Sequence, residues 1–294
     1  MIGKFSDQKL GHETSARPHV KCVKTALLVL ALTTSAYADT SVRATVDGAG
    51  HPIKLVTTWA ERGKLELDGK LVHAGDAVGT VAAGHGIVVV AYEVSGDKPF
   101  RVRIAEDGKL GEEIALARPG KANNSPFAIA ATETPDGFSI FFQEVQNNDP
   151  TAAHTYLLEL DGAGKPGTPK EVPVPWALAD AVWNGSGYHL ALIYAGGGDG
   201  IRLSMVAATK EGQPQGHPDW ASAPGIVMDV HLVKVGDRIL AYYRGGAAGD
   251  RLIETDVTHI GSWGNVSEHS SDRGALAQTT ALAVNAKGEA VRLK

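Results

Sequence analysis

The chain reads as an all-β protein, a β-propeller built from four-stranded antiparallel blades. Three observations carry that reading. After Asp39 the sequence is dominated by apolar/polar alternation with β-branched and aromatic residues, and no window of about 12 residues shows helical periodicity. Hairpins recur at near-constant spacing: with the glycine before the second strand as ruler, they fall at Gly86, Gly137, Gly187, Gly236 and Gly288, separated by 51, 50, 49 and 52 residues. A second hairpin follows each of the first four, with acidic-Gly turns at Asp107-Gly108, Asp161-Gly162 and Glu211-Gly212. Four strands per unit of ~50 residues is the signature of a blade, because each blade buries its two faces on its neighbours.

Taken in order, the chain starts with a segment that does not belong to the repeat. Lys21 to Lys24 is basic, Ala26-Leu27-Leu28-Val29-Leu30-Ala31-Leu32 is apolar, and Ala36-Tyr37-Ala38 has the small-x-small form of a cleavage site. Residues 1–38 are therefore expected to be a secretory signal peptide cleaved after Ala38, delivering residues 39–294 to the periplasm or the extracellular space. The polar stretch 1–19 is longer than such a leader needs, which points to initiation near Val20. The apolar run is too short for a permanent membrane span, which takes ~20 residues, so no membrane insertion is expected after cleavage.

The sole cysteine, Cys22, precedes the apolar run, so the mature chain would have neither disulfides nor a thiol nucleophile. Its 23 Lys/Arg against 31 Asp/Glu leave a balance of −8. Without a basic cluster, nucleic acid is an unsuitable partner, because that binding is driven by clustered cations releasing counterions. The chain is expected to act as a monomer.

Four complete units occupy residues 76–275. Residues 40–75 and 276–294 together amount to about one more. Five blades follow, with the ring closed by pairing of N- and C-terminal strands, the C-terminus supplying inner strands and the N-terminus outer ones. Residues 41–75 also read as a compact four-strand unit by themselves (Val42 to Val46, Ile53 to Trp59, Lys64 to Leu67, Lys70 to His73), which leaves a six-bladed ring with one thin blade as the alternative. A β-sandwich is disfavoured because its strands do not normally repeat in sequence.

The blade-like units and the hairpin Trp183-Asn184-Gly185-Ser186-Gly187-Tyr188 make the chain resemble secreted bacterial β-propeller repeat proteins over about 250 residues. That resemblance implies architecture and no activity, since propellers host unrelated functions.

In a four-strand meander, the start of strand one, the end of strand two and the two-to-three and four-to-one loops share one face. Register places Glu93, Glu144, Tyr194 and Arg244 at the ends of second strands, Asp76, Asp180 and Asp229 at the starts of first strands, and Trp176 and Trp220 in four-to-one connections. Functionally, these nine residues would form a polar pocket with indole platforms for sugar rings. Structurally, strand ends in any soluble β-protein are polar, and such tryptophans pack between blades. A column of Gly96-Asp97, Asn148-Asp149, Gly198-Asp199 and Gly249-Asp250 is turn chemistry rather than a calcium ring, because the turns lie too far apart to share an ion.

Other motifs fail. Ser270-Ser271-Asp272-Arg273-Gly274 matches only the first half of a sialidase Asp-box, and it is read as lying between units. Hydrolase elbows, zinc helices and phosphate loops do not occur. The nine histidines that follow the leader are scattered, and His189 and His231, each single in a strand, are read as packed or surface residues rather than metal ligands. No metal or cofactor is expected. The sequence points to a non-catalytic propeller binding a glycan or protein on the named face. The alternative is a glycoside hydrolase or lyase using two of Asp76, Glu93, Glu144, Asp180 and Asp229, since that chemistry needs two carboxylates at fixed separation.

Overall fold

The computed structural model describes residues 40–47, 51–58, 63–94, 99–116, 124–146, 149–174, 176–195, 201–259, 270–275, 281–284 and 290–293. The expected leader, 1–38, lies outside them. Every regular element among the described residues is a strand, and no helix there could cross a membrane.

Five antiparallel sheets follow one another along the chain, four of them four-stranded and the second with its outer strand split into two short pieces. The first is β1 (Thr40–Val46), β2 (Pro52–Thr58), β3 (Lys64–Leu67) and β4 (Lys70–Ala74). The second is β5 (Ala77–Gly84), β6 (Ile87–Val94) and β7 (Phe100–Glu106), with the short β8 (Lys109–Leu110) and β9 (Ile114–Ala115) both paired to β7. Next come β10 (Asn124–Thr134), β11 (Gly137–Gln146), β12 (Asp149–Asp161) and β13 (Lys170–Val172), then β14 (Ala177–Trp183), β15 (Gly187–Ala195), β16 (Ile201–Thr209) and β17 (Pro214–Trp220). The fifth is β18 (Met228–Val235), β19 (Arg238–Gly245), β20 (Arg251–Asp256) and β21 (Ser270–Ala275), and the chain ends in the hairpin β22 (Ala281–Val284) and β23 (Ala290–Leu293).

The first strands of successive sheets lie side by side, β1 by β5, β5 by β10, β10 by β14 and β14 by β18, as the inner wall of a propeller. Five blades match the expectation from the sequence; the closure does not. The N-terminal residues complete a sheet of their own, and the terminal hairpin is a separate two-stranded sheet whose β22 lies between β1 and β18. The reason is local. Asp68 (φ 46°) and Gly69 (φ 77°) both take the left-handed backbone that a tight two-residue hairpin demands, so β3 and β4 form without help and the first blade has no strand position left to fill. The half Asp-box is also reassigned: Ser270 to Ala275 is the outer strand of the fifth blade, held by Arg273–Glu254 and Arg251–Asp272 ion pairs at 2.7 Å.

Blades are glued face to face. In β11, Phe138, Ile140 and Phe142 point to the second blade and join Val89, Ala91, Phe100 and Val102, while Phe141 points to the fourth and joins Tyr188, Leu190 and Leu192. Such strands are buried on both faces, which is why they read as nearly continuous apolar runs. Phe100 stacks on Phe142 at 4.4 Å, and Phe141 meets Tyr188 edge-on at 5.1 Å, each pair contributing about 1 kcal/mol beyond its buried area. Ser139 and Tyr188 hydroxyls close the same interface at 2.7 Å.

Candidate functional site

An inner strand has one open edge, and its N–H groups need acceptors. Here the preceding blade supplies them. Gln143 Oε1 accepts from the Leu178 N–H (2.9 Å), Thr132 Oγ1 from Trp183 (3.2 Å), and Asp180 Oδ2 from Leu232 (2.7 Å). All three side chains thus reach the next blade, and Thr132 and Asp180 also line the axis.

Along the axis runs a cavity of about 1060 Å³. Its depth is set by the middles of inner strands, where Arg43, Thr80, Asp180 and His231 stand, with Thr45, Ala82, Thr132, Val182 and Val233 one step further along. Its mouth lies among the one-to-two and three-to-four turns, with Asp47, His51, Lys70, His85, Glu133 and Lys234 at the rim. This is the end of the propeller opposite the face expected from the sequence.

Three ionisable groups meet at depth. Burial raises the Asp180 carboxyl to about 6, against the opposing effects of Arg43 and two backbone N–H groups. Burial and then the Arg43 charge lower the His231 imidazole to about 4, partly offset by Asp229. At neutral pH the cavity thus holds a carboxylate, a neutral imidazole with one donor and one acceptor, and a guanidinium. Arg43 makes no hydrogen bond or ion pair with any described residue.

The rim charges are otherwise engaged. Asp47 accepts from the His51 backbone (2.8 Å) and pairs with its ring (3.1 Å), and Asp68 accepts from the Lys54 N–H (2.8 Å). Lys70 donates to the Gly108 carbonyl, Lys234 to that of Asn184 (2.9 Å), and the His85 ring bonds the Thr134 carbonyl (2.8 Å).

Of the nine residues singled out from the sequence, Asp180 lines this cavity and the other eight do not. Trp176, Tyr194 and Trp220 do come together: the indoles are parallel at 5.8 Å, with Tyr194 4.6 Å from Trp176 and 5.1 Å from Trp220. They stand at the ends of fourth-blade strands, and Trp176 packs on the core shared by the third and fourth blades. Arg202 lies 5.0 Å from the Trp220 ring, so this cluster largely stacks on itself. Arg244 is buried and donates to Asp229 at 2.5 Å. Glu93 and Glu144 are fully buried at the ends of β6 and β11, and Asp76 is exposed in the connection before β5. Asp180 and Tyr194 do not meet at a channel mouth: a bulge between Leu178 and Asp180 carries the carboxylate past the strand start and into the axis. Of the aspartate turn column, Gly249-Asp250 lies wholly within the described residues, and Gly249 takes φ 67° as turn chemistry requires.

Sequence reasoning missed Arg43 and His231, and it read His231 as an ordinary strand histidine. A signal was present. Counting four residues back from the residue that opens each one-to-two turn gives Thr80, Ala130, Asp180 and His231, spaced 50, 50 and 51, and opposite them stand Ala91, Phe141, Ala191 and Tyr242. Thr80, Asp180 and His231 of that column line the axial cavity, whereas Ala130 is buried in the core between the third and fourth blades.

No known protein family and no curated protein matches the sequence. Similar solved structures include a neuraminidase-like protein of A/little yellow-shouldered bat/Guatemala, at 10% identity and TM-score 0.52 over 85% of this chain and 87% of that one. A xylan β-1,4-xylosidase from Bacillus halodurans (12%, TM-score 0.46) matches over 72% of this chain and 47% of its own, so this chain spans about half its length. The Aleuria aurantia lectin (15%, TM-score 0.49) matches over 84% and 85%. At these identities the likeness is one of fold.

Proposed function

We propose that the chain is an exported, non-catalytic propeller that binds a saccharide in its axial cavity. The observation that carries this reading is the polar depth of that cavity. Asp180, His231, Arg43 and Thr80 offer hydroxyl acceptors and donors of different geometry around a space large enough for several sugar rings. Asp180 accepts two backbone N–H groups, which leaves further lone-pair sites on its oxygens for sugar hydroxyls. Among the described lining residues it is the one carboxylate at that depth, the others standing at the rim, and this favours binding over two-carboxylate hydrolysis. The signal-like residues 21–38 and the cysteine-free chain that follows support export.

Thermal unfolding against a broad glycan panel tests the reading. A bound glycan at a hundredfold excess over its Kd stabilises by about 2.7 kcal/mol, a shift of several degrees. The shift is expected to vanish in Asp180→Ala and in His231→Ala, with no turnover of the glycan. Absence of a shift with every glycan, or a shift that both variants keep, contradicts the proposal. Terminal sequencing of exported protein should find Asp39 first.

A further inference from the structure

Arg43 differs from the lysines lining the cavity, Lys70 and Lys234, which both donate to backbone carbonyls. Asp47, Asp68, Lys70, His85 and Lys234 each bond to a neighbouring residue, and Asp180 is tied to the backbone of the fifth blade. Asp180 and His231 both feel the guanidinium's charge, yet neither approaches it within ion-pair distance. Arg43 is half-buried in the cavity wall, so its guanidinium donors are left for whatever enters the cavity. The fold had a carboxylate at hand and spent it elsewhere, on the Leu232 N–H.

Guanidinium donors form a planar fork that matches a carboxylate in two parallel hydrogen bonds. Around that fork stand groups suited to hydroxyls: Asp180 as acceptor, neutral His231 as donor and acceptor, Thr80 and Thr45 as either. We infer that the saccharide taken by the axial cavity is acidic, a uronate-type sugar whose carboxylate pairs with Arg43 while its ring hydroxyls bond Asp180 and His231. This inference rests on the axial cavity being the saccharide site, and it adds the chemical class.

The test is titration calorimetry of the full chain with trisaccharides of galacturonate, glucuronate and mannuronate, each beside its linkage-matched neutral counterpart. At least one acidic sugar is expected to bind ten times or more tighter than its neutral partner, with a preference that shrinks as salt rises. Arg43→Gln should reduce that preference to within twofold. Arg43→Lys, which keeps the charge and loses the fork, should retain part of it, and thermal melts establish that both variants fold. Neutral sugars binding as tightly as acidic ones, or a preference that survives Arg43→Gln, overturns the inference and leaves saccharide binding standing. No binding by either series overturns both.

Discussion

At one end of the propeller Arg244 is buried against Asp229 at 2.5 Å, whereas on the axis Arg43 has Asp180 nearby and no bond to it. The aromatic groups divide in a similar way. Trp176, Tyr194 and Trp220 satisfy one another at strand ends, while the cavity is walled by small residues such as Ala82, Ala131 and Ala181 that leave space. The contrast teaches where function can reside in such a fold. Strand ends are held by neighbours in the same or adjacent blade; the middles of inner strands face a space that no neighbour fills.

The sharpest way to break this contrast is through a side chain that holds the strand-end region to the neighbouring blade. Gln143 is fully buried and bonds Trp176 O (2.7 Å), Thr155 Oγ1 (3.0 Å) and the Leu178 N–H. Gln143→Leu orphans those groups and should cost about 3 kcal/mol in urea unfolding. A loss below about 1 kcal/mol would mean that the edge bonds are dispensable.

Trp220→Ala is next. It should cost about 2 kcal/mol through lost packing, less than a fully buried tryptophan because the ring is half exposed, while saccharide affinity stays within twofold. A tenfold loss of affinity with stability unchanged would instead make the aromatic cluster the site.

A smaller effect separates the two axial groups by pH. The folded chain keeps a proton on Asp180 up to about pH 6 that the unfolded chain releases near 3.8, so this group's contribution to stability falls as pH rises between those values. The folded chain refuses a proton on His231 until about pH 4 that the unfolded chain takes up near 6.5, so its contribution rises with pH over that range. Each slope is up to about 1.4 kcal/mol per pH unit, and they oppose. These two contributions are therefore expected nearly to cancel between pH 4 and 6, so that, relative to the native protein, stability rises more with pH in Asp180→Asn and less in His231→Asn. Profiles parallel to the native one in both variants would show that neither group is held as described.

The smallest expected effect is that of Thr132→Val, which removes the acceptor of the Trp183 N–H and should cost about 1 kcal/mol. Saccharide affinity should change little, because the hydroxyl serves the neighbouring blade.

Much of the fold was legible because a blade repeats its turn chemistry: the glycine ruler located the one-to-two turns and the strands between them. Closure was less legible. A β3–β4 hairpin set by Asp68 and Gly69 is a local fact, but whether a terminal hairpin pairs with it or packs as a separate sheet depends on strands distant in sequence. The site was legible only in part. Placing Tyr194 at a second-strand end and Trp176 and Trp220 in four-to-one connections put on one face three rings that do meet, but the count treated Asp180 as a strand start, since a bulge after Leu178 is invisible to a count of residues. Arg43 escaped because the first blade is short: Arg43 also stands four residues before the residue that opens its turn, Asp47, but it precedes Thr80 by 37 residues and so falls off the common spacing.

Hydrogen exchange with and without a saturating acidic trisaccharide tests the placement of the site most directly. The account predicts slowed exchange along the axis, at Arg43, at Asp180 to Trp183 and at His231 to Lys234, with no change at Trp176, Tyr194 and Trp220. Protection at those three aromatic positions, with none along the inner strands, would contradict it.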